Sequence, residues 1–153
     1  GPGGGPNVRV FDGRTGAEVR SFFAYAPSFT GGVWVAVGDV DGDGFGDVVT
    51  GTGAGGAPHV QVFSGRDGSL LRSFFAYADT LRGGVTVAAG DVDGDGFADI
   101  VTGAGAGGAA HVRAVGGKDG AELASLFAFE PAFSGGVFVG AGDLDGDGRA
   151  EVL

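Results

Sequence analysis

The sequence predicts an all-β fold in which a unit of four short antiparallel strands is repeated. A motif of spaced aspartates begins at Asp39, Asp91 and Asp143, so the whole chain repeats every 52 residues. Apolar and polar residues alternate over short segments rich in Val and Phe, as they do in half-buried strands. The 36 glycines recur at fixed places in each repeat, which is typical of turns between strands. Four strands in a unit of this length predict the blade of a β-propeller.

The individual strands are clearest in the second unit. Val33, Val35 and Val37 fall on one face of the first strand, and Val60 and Val62 on one face of the third. The second strand is a short apolar run, and the fourth is rich in aromatic residues. The predicted strands are Gly32–Gly38, Asp47–Gly51, His59–Phe63 and a fourth centred on Ser73–Tyr77.

The repeat frame predicts a single propeller segment over residues 1–153. Its parts are strands 3–4 of a first blade at 7–31, full repeats at 32–83 and 84–135, and strands 1–2 of a last blade at 136–153. Three blades are fewer than the four to eight of known propellers, so we expect a homodimer that completes a six-bladed ring. The alternative is that the segment belongs to a longer propeller. A linear β-solenoid is disfavoured because its repeats are typically much shorter.

The charge of the chain is concentrated in the repeated motif. The formal net charge is −10, and 12 of the 19 acidic residues belong to the three motifs, which leaves seven acidic against nine basic residues elsewhere. There is no basic stripe, so nucleic acid is not an expected partner. There is no apolar run of 18 residues, so we expect no membrane insertion. Cysteine is absent, and disulfides therefore contribute nothing.

The acidic motif D-x-D-x-D-G-x-x-D has the donors of a calcium loop. Side-chain oxygens at positions 1, 3, 5 and 9 and the backbone carbonyl at position 7 supply only hard oxygen ligands, which favours Ca²⁺. We therefore expect about three Ca²⁺ ions per chain. An EF-hand would need flanking helices and a glutamate at position 12, and the sequence indicates neither. A zinc site would need Cys or clustered His, and the sequence has neither. The predicted ligands are Asp39, Asp41, Asp43, the Phe45 carbonyl and Asp47; Asp91, Asp93, Asp95, the Phe97 carbonyl and Asp99; and Asp143, Asp145, Asp147, the Arg149 carbonyl and Glu151.

Other motifs are interpreted as structural. The glycine-rich segment 51–56 matches G-x-G-x-x-G, but it leads into a predicted strand and not into a helix, so we expect a connecting loop. His59 and His111 occupy equivalent repeat positions, too far apart for one metal site. Aromatic runs such as Phe74–Tyr77 are expected to fill the space between blades, and Trp34 is a candidate ligand contact. No nucleophile elbow or triad is found, so we expect no enzyme activity.

The segment G-V-W-V-A-V-G-D-V-D-G-D-G-F-G-D-V-V-T-G and its two copies resemble the FG-GAP repeats of integrin α-subunit-like β-propellers, which also occur in bacterial secreted and surface proteins. The resemblance implies that the calcium loop joins the first two strands of each blade and that the protein is secreted or at the cell surface. The expected function is a non-enzymatic, calcium-binding scaffold or interaction module. The alternatives are a lectin with pockets between blades and an accessory domain of a secreted hydrolase.

Overall fold

A computed structural model describes residues 1–130 and 132–153, and the regular structure of this part of the chain consists of strands alone. Residue 131, within the repeat predicted at 84–135, lies outside the description. Two complete sheets have four antiparallel strands each. The first contains β3 (Val33–Gly38), β4 (Asp47–Thr52), β5 (His59–Phe63) and β6 (Leu70–Phe75), and the second contains β7 (Val85–Gly90), β8 (Asp99–Ala104), β9 (His111–Val115) and β10 (Glu122–Phe127).

Strands that follow one another in the chain are neighbours in both sheets, which run in the orders β3-β4-β5-β6 and β7-β8-β9-β10. Two further strand pairs flank them. These are β1 (Asn7–Phe11) with β2 (Glu18–Phe23), and β11 (Ala141–Gly142) with β12 (Glu151–Val152). The prediction of an all-β fold with antiparallel four-stranded sheets is confirmed.

The first three predicted strands of the second unit are found within one residue of their expected bounds, but the fourth is displaced. It was centred on Ser73–Tyr77, whereas β6 covers Leu70–Phe75. The amide of Ala76 makes the last bond of this pairing, to the Pro58 carbonyl at 2.9 Å, and the strand ends because the chain bends at Ala76 and Tyr77. This turn sends the side chain of Tyr77 out of its own sheet.

The two sheets share one hydrophobic core. Val49, Val60 and Val62 of the first sheet pack with Val85 and Ile100 of the second, and all five are fully buried. The second strand of each sheet is buried along its whole length, because its two faces are covered by neighbouring elements. This explains why its sequence is a continuous run of small and apolar residues instead of an alternating one.

The first strands of adjacent sheets lie against each other. A Cβ added at Gly38, at the end of β3, would lie 2.9 Å from the Cβ of Ala89 in β7 and 2.7 Å from that of Ala98, just before β8. Gly90 has the same relation to Ala150 and Ala141. Glycine is therefore required at the ends of β3 and β7 for the sheets to approach this closely.

Tyrosine hydroxyls also join adjacent sheets. Tyr77, which follows β6, donates to the carbonyl of His111 at 2.8 Å and lies 3.2 Å from the hydroxyl of Thr102. Tyr25 makes the equivalent contacts with His59 and Thr50. Burial raises the pKa of Tyr77 to about 12, so this hydroxyl keeps its proton at neutral pH.

Candidate metal centre

Each acidic motif forms a loop between the first and second strands of a sheet. Loop 1 (residues 39–46) joins β3 to β4, loop 2 (91–98) joins β7 to β8, and loop 3 (143–150) joins β11 to β12. Positive φ angles occur at positions 4 and 6 of each loop, for example 73° at Gly42 and 87° at Gly44. Residues other than glycine rarely adopt these angles, which accounts for the Asp-Gly pairs of the motif.

The first aspartate of each loop accepts hydrogen bonds from the amides that curl around it. In loop 1, Asp39 Oδ1 accepts from the amide of Asp43 at 3.0 Å, and Oδ2 accepts from that of Gly44 at 2.9 Å. Asp91 makes the same bonds with Asp95 and Gly96 in loop 2. The carboxylate at position 1 therefore organises its loop around one point.

The aspartates at positions 3 and 5 close smaller turns on the exposed side of the loop. Asp41 Oδ1 accepts from the amide of Asp43 at 3.1 Å, and Asp43 Oδ1 accepts from that of Phe45 at 2.9 Å. Desolvation raises the pKa of the Asp41 carboxyl, the amide of Asp43 opposes this, and the charges of Asp47, Asp43 and Asp39 add to the rise. These carboxylates repel one another, so a cation between them would be stabilising.

The acid at position 9 has a role that the motif did not reveal. Asp47 is fully buried; its Oδ2 accepts from the amide of Val40 at 2.8 Å and its Oδ1 from that of Gly65 at 2.9 Å. It thereby fastens loop 1 to the turn after β5. Asp99 joins loop 2 to the turn at Gly117 in the same way. Burial raises the pKa of Asp99, while its bonds to these amides lower it.

Three clusters of carboxylates have ligand atoms within 4.8 Å of one another, one in each loop. They include nine of the twelve predicted acids, and Asp47, Asp95 and Asp147 lie outside them. The clusters offer only oxygen, and each carboxylate oxygen has a second lone pair besides the one used by an amide. They could therefore each hold a hard metal ion. Their members are Asp39, Asp41 and Asp43; Asp91, Asp93 and Asp99; and Asp143, Asp145 and Glu151.

The backbone carbonyls of the residues at position 7 are predicted ligands. In loops 2 and 3 the side chains of these residues cover the preceding loop. The ring of Phe97, in loop 2, lies over Gly42 of loop 1, where an added Cβ would come within 2.5 Å of it. Arg149 of loop 3 lies over Gly94 of loop 2 in the same way. The ammonium group of Lys118 sits 4.8 Å from the centre of the Phe97 ring. Sequence reasoning missed these contacts between loops, although the glycine at position 4 of every motif was a signal for them.

The remaining sequence candidates lie apart from the loops. Trp34 on β3 is 43% exposed, with its ring edge-on to that of Phe138 at 5.3 Å. His59 begins β5, where its ring is tilted by 32° against that of Phe75 and its Nε2 lies 2.8 Å from the hydroxyl of Ser73. Phe75 is half-exposed, so the prediction that the aromatic runs fill space between sheets is wrong for this ring. It holds for Phe74, which packs on the core.

Residues 51 and 52 of the glycine-rich segment 51–56 end β4, and its other residues lie in the loop that connects β4 to β5, as expected. Among the described residues, no helix has the length and apolar character needed to cross a membrane.

A family model described as an FG-GAP-like repeat matches residues 39–102. The match begins at the first aspartate of loop 1 and includes all of loop 2, so it covers two of the three acidic clusters. FG-GAP repeats are typical of extracellular and surface proteins. The chain thus carries an FG-GAP-like repeat over these residues, in agreement with the resemblance of its acidic loops to such repeats.

Proposed function

We propose that this chain is a calcium-binding, non-enzymatic β-propeller module that acts as a scaffold or interaction surface outside the cell. One Ca²⁺ in each acidic loop would stabilise the connection between the first and second strands of its blade. The observation that carries the proposal is the presence of three carboxylate clusters at equivalent places in three repeats. Active sites are rarely triplicated, whereas structural metal sites commonly recur with the repeat.

The packing of the sheets supports the propeller. Adjacent sheets meet through their first strands, β3 and β7, and each sheet is a simple up-and-down arrangement of four strands. Propeller blades have this strand order and meet at the central channel. The acidic loops would then lie together on one face of the ring, since all three follow a first strand.

The donors favour calcium over other metals. Asp39, Asp41 and Asp43 would hold the ion in loop 1, with the carbonyl of Phe45 as the further ligand expected from the motif. Bound Ca²⁺ would supply positive charge that offsets the repulsion among these carboxylates. Zn²⁺ prefers nitrogen and sulfur donors, and Mg²⁺ requires a stricter octahedral arrangement than these exposed loops are expected to impose. Because the site depends on the folded loop, its binding free energy would add to the free energy of folding.

Titration calorimetry tests the assignment. The intact chain should bind close to three Ca²⁺ ions, and Mg²⁺ should compete weakly. Asp41→Asn should reduce the number of sites by one, since it removes a charge from the cluster but keeps an oxygen for the amide of Asp43. Asp79→Asn is the matched control, because Asp79 is an exposed acid outside the loops. Binding of fewer than two ions at millimolar Ca²⁺, or equal effects of the two substitutions, would contradict the proposal.

A second candidate function is recognition of a glycan. A cleft of about 400 Å³ lies between the two complete sheets, lined by Arg72, Phe74, Phe75 and Arg113 among others. Aromatic rings and guanidinium groups are suited to the faces and hydroxyls of sugars. Between the β1–β2 pair and the first complete sheet, Phe63 occupies the repeat position that Val115 has in this cleft. The ring of Phe63 packs there on that of Phe22, with ring centroids 4.8 Å apart.

Glycan-array binding tests this candidate. Val115→Phe should fill the cleft and abolish binding if the cleft is the site. Val19→Thr, on the exposed face of β2, is a control that leaves the cleft intact. The absence of glycan binding by the unmodified chain would remove the candidate.

A further inference from the structure

We infer that the cleft between the two complete sheets binds the carboxylate of an acidic sugar, and that Arg72 is the residue that recognises it. The inference rests on the second candidate function, glycan recognition by the same cleft, and names the class of glycan. The two walls of the cleft belong to complete four-stranded sheets, with β6 on one side and β9 on the other. The packing of two whole sheets therefore sets its shape.

The first observation is the unused hydrogen-bonding capacity of Arg72. Its guanidinium donates through Nη2 to the carbonyl of Gly117 in the second sheet, and its Nη1 lies beside Gly120 at the wall of the cleft. Among the described residues, no acceptor is found for its Nε or Nη1, and no carboxylate forms a salt bridge with it. A carboxylate is suited to these donors, because it can accept two parallel hydrogen bonds from one guanidinium.

The second observation is the charge of the remaining cleft wall. The guanidinium of Arg113 is already paired, since its Nε donates to Glu122 Oε2 at 2.7 Å and its Nη1 donates to the carbonyl of Ala76. Asp119, in the turn after β9, is exposed to solvent. The unpaired charge that lines the cleft is therefore the positive charge of Arg72, which favours an anionic ligand over a neutral one.

The third observation is a difference between Arg72 and its counterpart in the preceding repeat. Arg20 occupies the same repeat position on β2. It donates to the carbonyl of Ser64 at 2.9 Å and to that of Arg66 at 3.3 Å, both in the turn after β5. Arg72 donates to only one carbonyl of the equivalent turn, so part of its guanidinium is left for a ligand.

The surface beside Arg72 suits a sugar better than an acidic peptide. The cleft has a volume of about 400 Å³, within the range of sites for small molecules. Phe75, on the same wall, is 51% exposed and offers apolar surface to one side of a pyranose ring, and the hydroxyl of Ser73 lies nearby. An aspartate or glutamate side chain would use the guanidinium but would leave Phe75 and Ser73 uncovered.

A second cleft adjoins the first on the other side of Arg72. It has a volume of about 340 Å³ and is also lined by Asp41 and Lys118. The ammonium group of Lys118 lies 3.9 Å from a carboxylate oxygen of Asp95. Because the charges of this second cleft are mixed, we place the carboxylate in the first cleft, and the second would hold a neighbouring sugar of the same oligosaccharide.

Glycan-array binding with paired probes tests the inference. Each pair consists of a uronic-acid oligosaccharide and its carboxyl-reduced form, which keeps the rings and hydroxyls but carries no charge. The acidic forms should bind at least about tenfold more tightly than the reduced forms. Arg72→Gln should weaken binding of the acidic forms by about 10- to 100-fold, since it removes hydrogen bonds to a charged group.

Arg20→Gln is the matched control. Each substitution removes an arginine that donates to a backbone carbonyl of the next sheet, so the two variants should lose similar stability. A difference in binding between them would then report contact with the ligand. Arg72→Lys should bind the acidic forms with intermediate affinity, because lysine keeps the charge but not the planar fork of donors.

The outcomes separate this inference from the function on which it rests. Equal binding of acidic and reduced forms would leave glycan recognition standing and overturn the carboxylate site. Binding of acidic forms that survives Arg72→Gln, or that Arg20→Gln weakens equally, would overturn the assignment to Arg72. No binding to any probe would remove the glycan candidate and this inference with it.

Discussion

The amide of Ala98 in loop 2 donates a 2.7 Å hydrogen bond to the carbonyl oxygen of Asp39 in loop 1. The same peptide group carries the carbonyl of Phe97, which the motif assigns as a ligand of the second cluster. Because a trans peptide points its carbonyl and its amide in opposite directions, this one group can face both loops. Ala150 repeats the arrangement between loops 3 and 2. The acidic loops therefore form a connected row.

The contact between loops can be tested by substituting two glycines of loop 1. Both Gly42 and Gly44 have positive φ, so alanine at either should cost on the order of 1 kcal/mol in backbone strain. At Gly42 the new methyl group would also clash with the Phe97 ring, whereas at Gly44 it would meet nothing within 4 Å. We expect Gly42→Ala to lower the free energy of unfolding by about 1–3 kcal/mol more than Gly44→Ala. Urea unfolding in EGTA measures the difference, and equal losses would show that the loops do not constrain each other.

The two kinds of carboxylate in loop 1 should respond differently to the change from Asp to Asn. Asp47 accepts amides through both oxygens, so Asp47→Asn would direct an NH₂ group at an N–H and lower stability by about 1–3 kcal/mol. This loss should be present with or without calcium. Asp41→Asn should leave stability in EGTA unchanged or higher, because it relieves repulsion, and should reduce only the stabilisation by calcium. Chemical unfolding of both variants in EGTA and in Ca²⁺ checks this, and an equal loss for both in EGTA would contradict the assigned roles.

The histidines that begin the third strands predict a dependence of stability on pH. Burial lowers the pKa of His59 below the ordinary value of 6.5. The unfolded chain then binds more protons than the folded one between these two values, so stability falls as pH drops below about 6.5. Asn7 occupies the same position in the first unit, and its amide reaches the hydroxyl of Ser21 at 3.2 Å.

The substitution His59→Asn should therefore keep a hydrogen bond to Ser73 and remove the titrating group. The loss of unfolding free energy between pH 7 and pH 5, measured in EGTA, should be smaller than in the unmodified chain. Profiles that run parallel over this interval would exclude a contribution from His59.

The strands and the loops could be predicted from local sequence, because the alternation in β5 and the Asp-Gly pairs reflect interactions between near neighbours. The role of Asp47 could not, since its second partner is Gly65, 18 residues away in the chain. The cover of Gly42 by Phe97 depends in the same way on the packing of two sheets. The half-exposed position of Phe75 could not be predicted either, because the pattern F-F-A-Y does not show which of its rings faces the core.

The most direct test of the central claim is thermal unfolding of the intact chain after exhaustive dialysis against EGTA, with and without added Ca²⁺. If the three clusters bind calcium in the folded state only, a concentration 100 times the dissociation constant should add about 2.7 kcal/mol per site and raise the melting temperature markedly. Mg²⁺ at the same concentration should have a much smaller effect. An identical melting curve in EGTA and in millimolar Ca²⁺ would contradict the account.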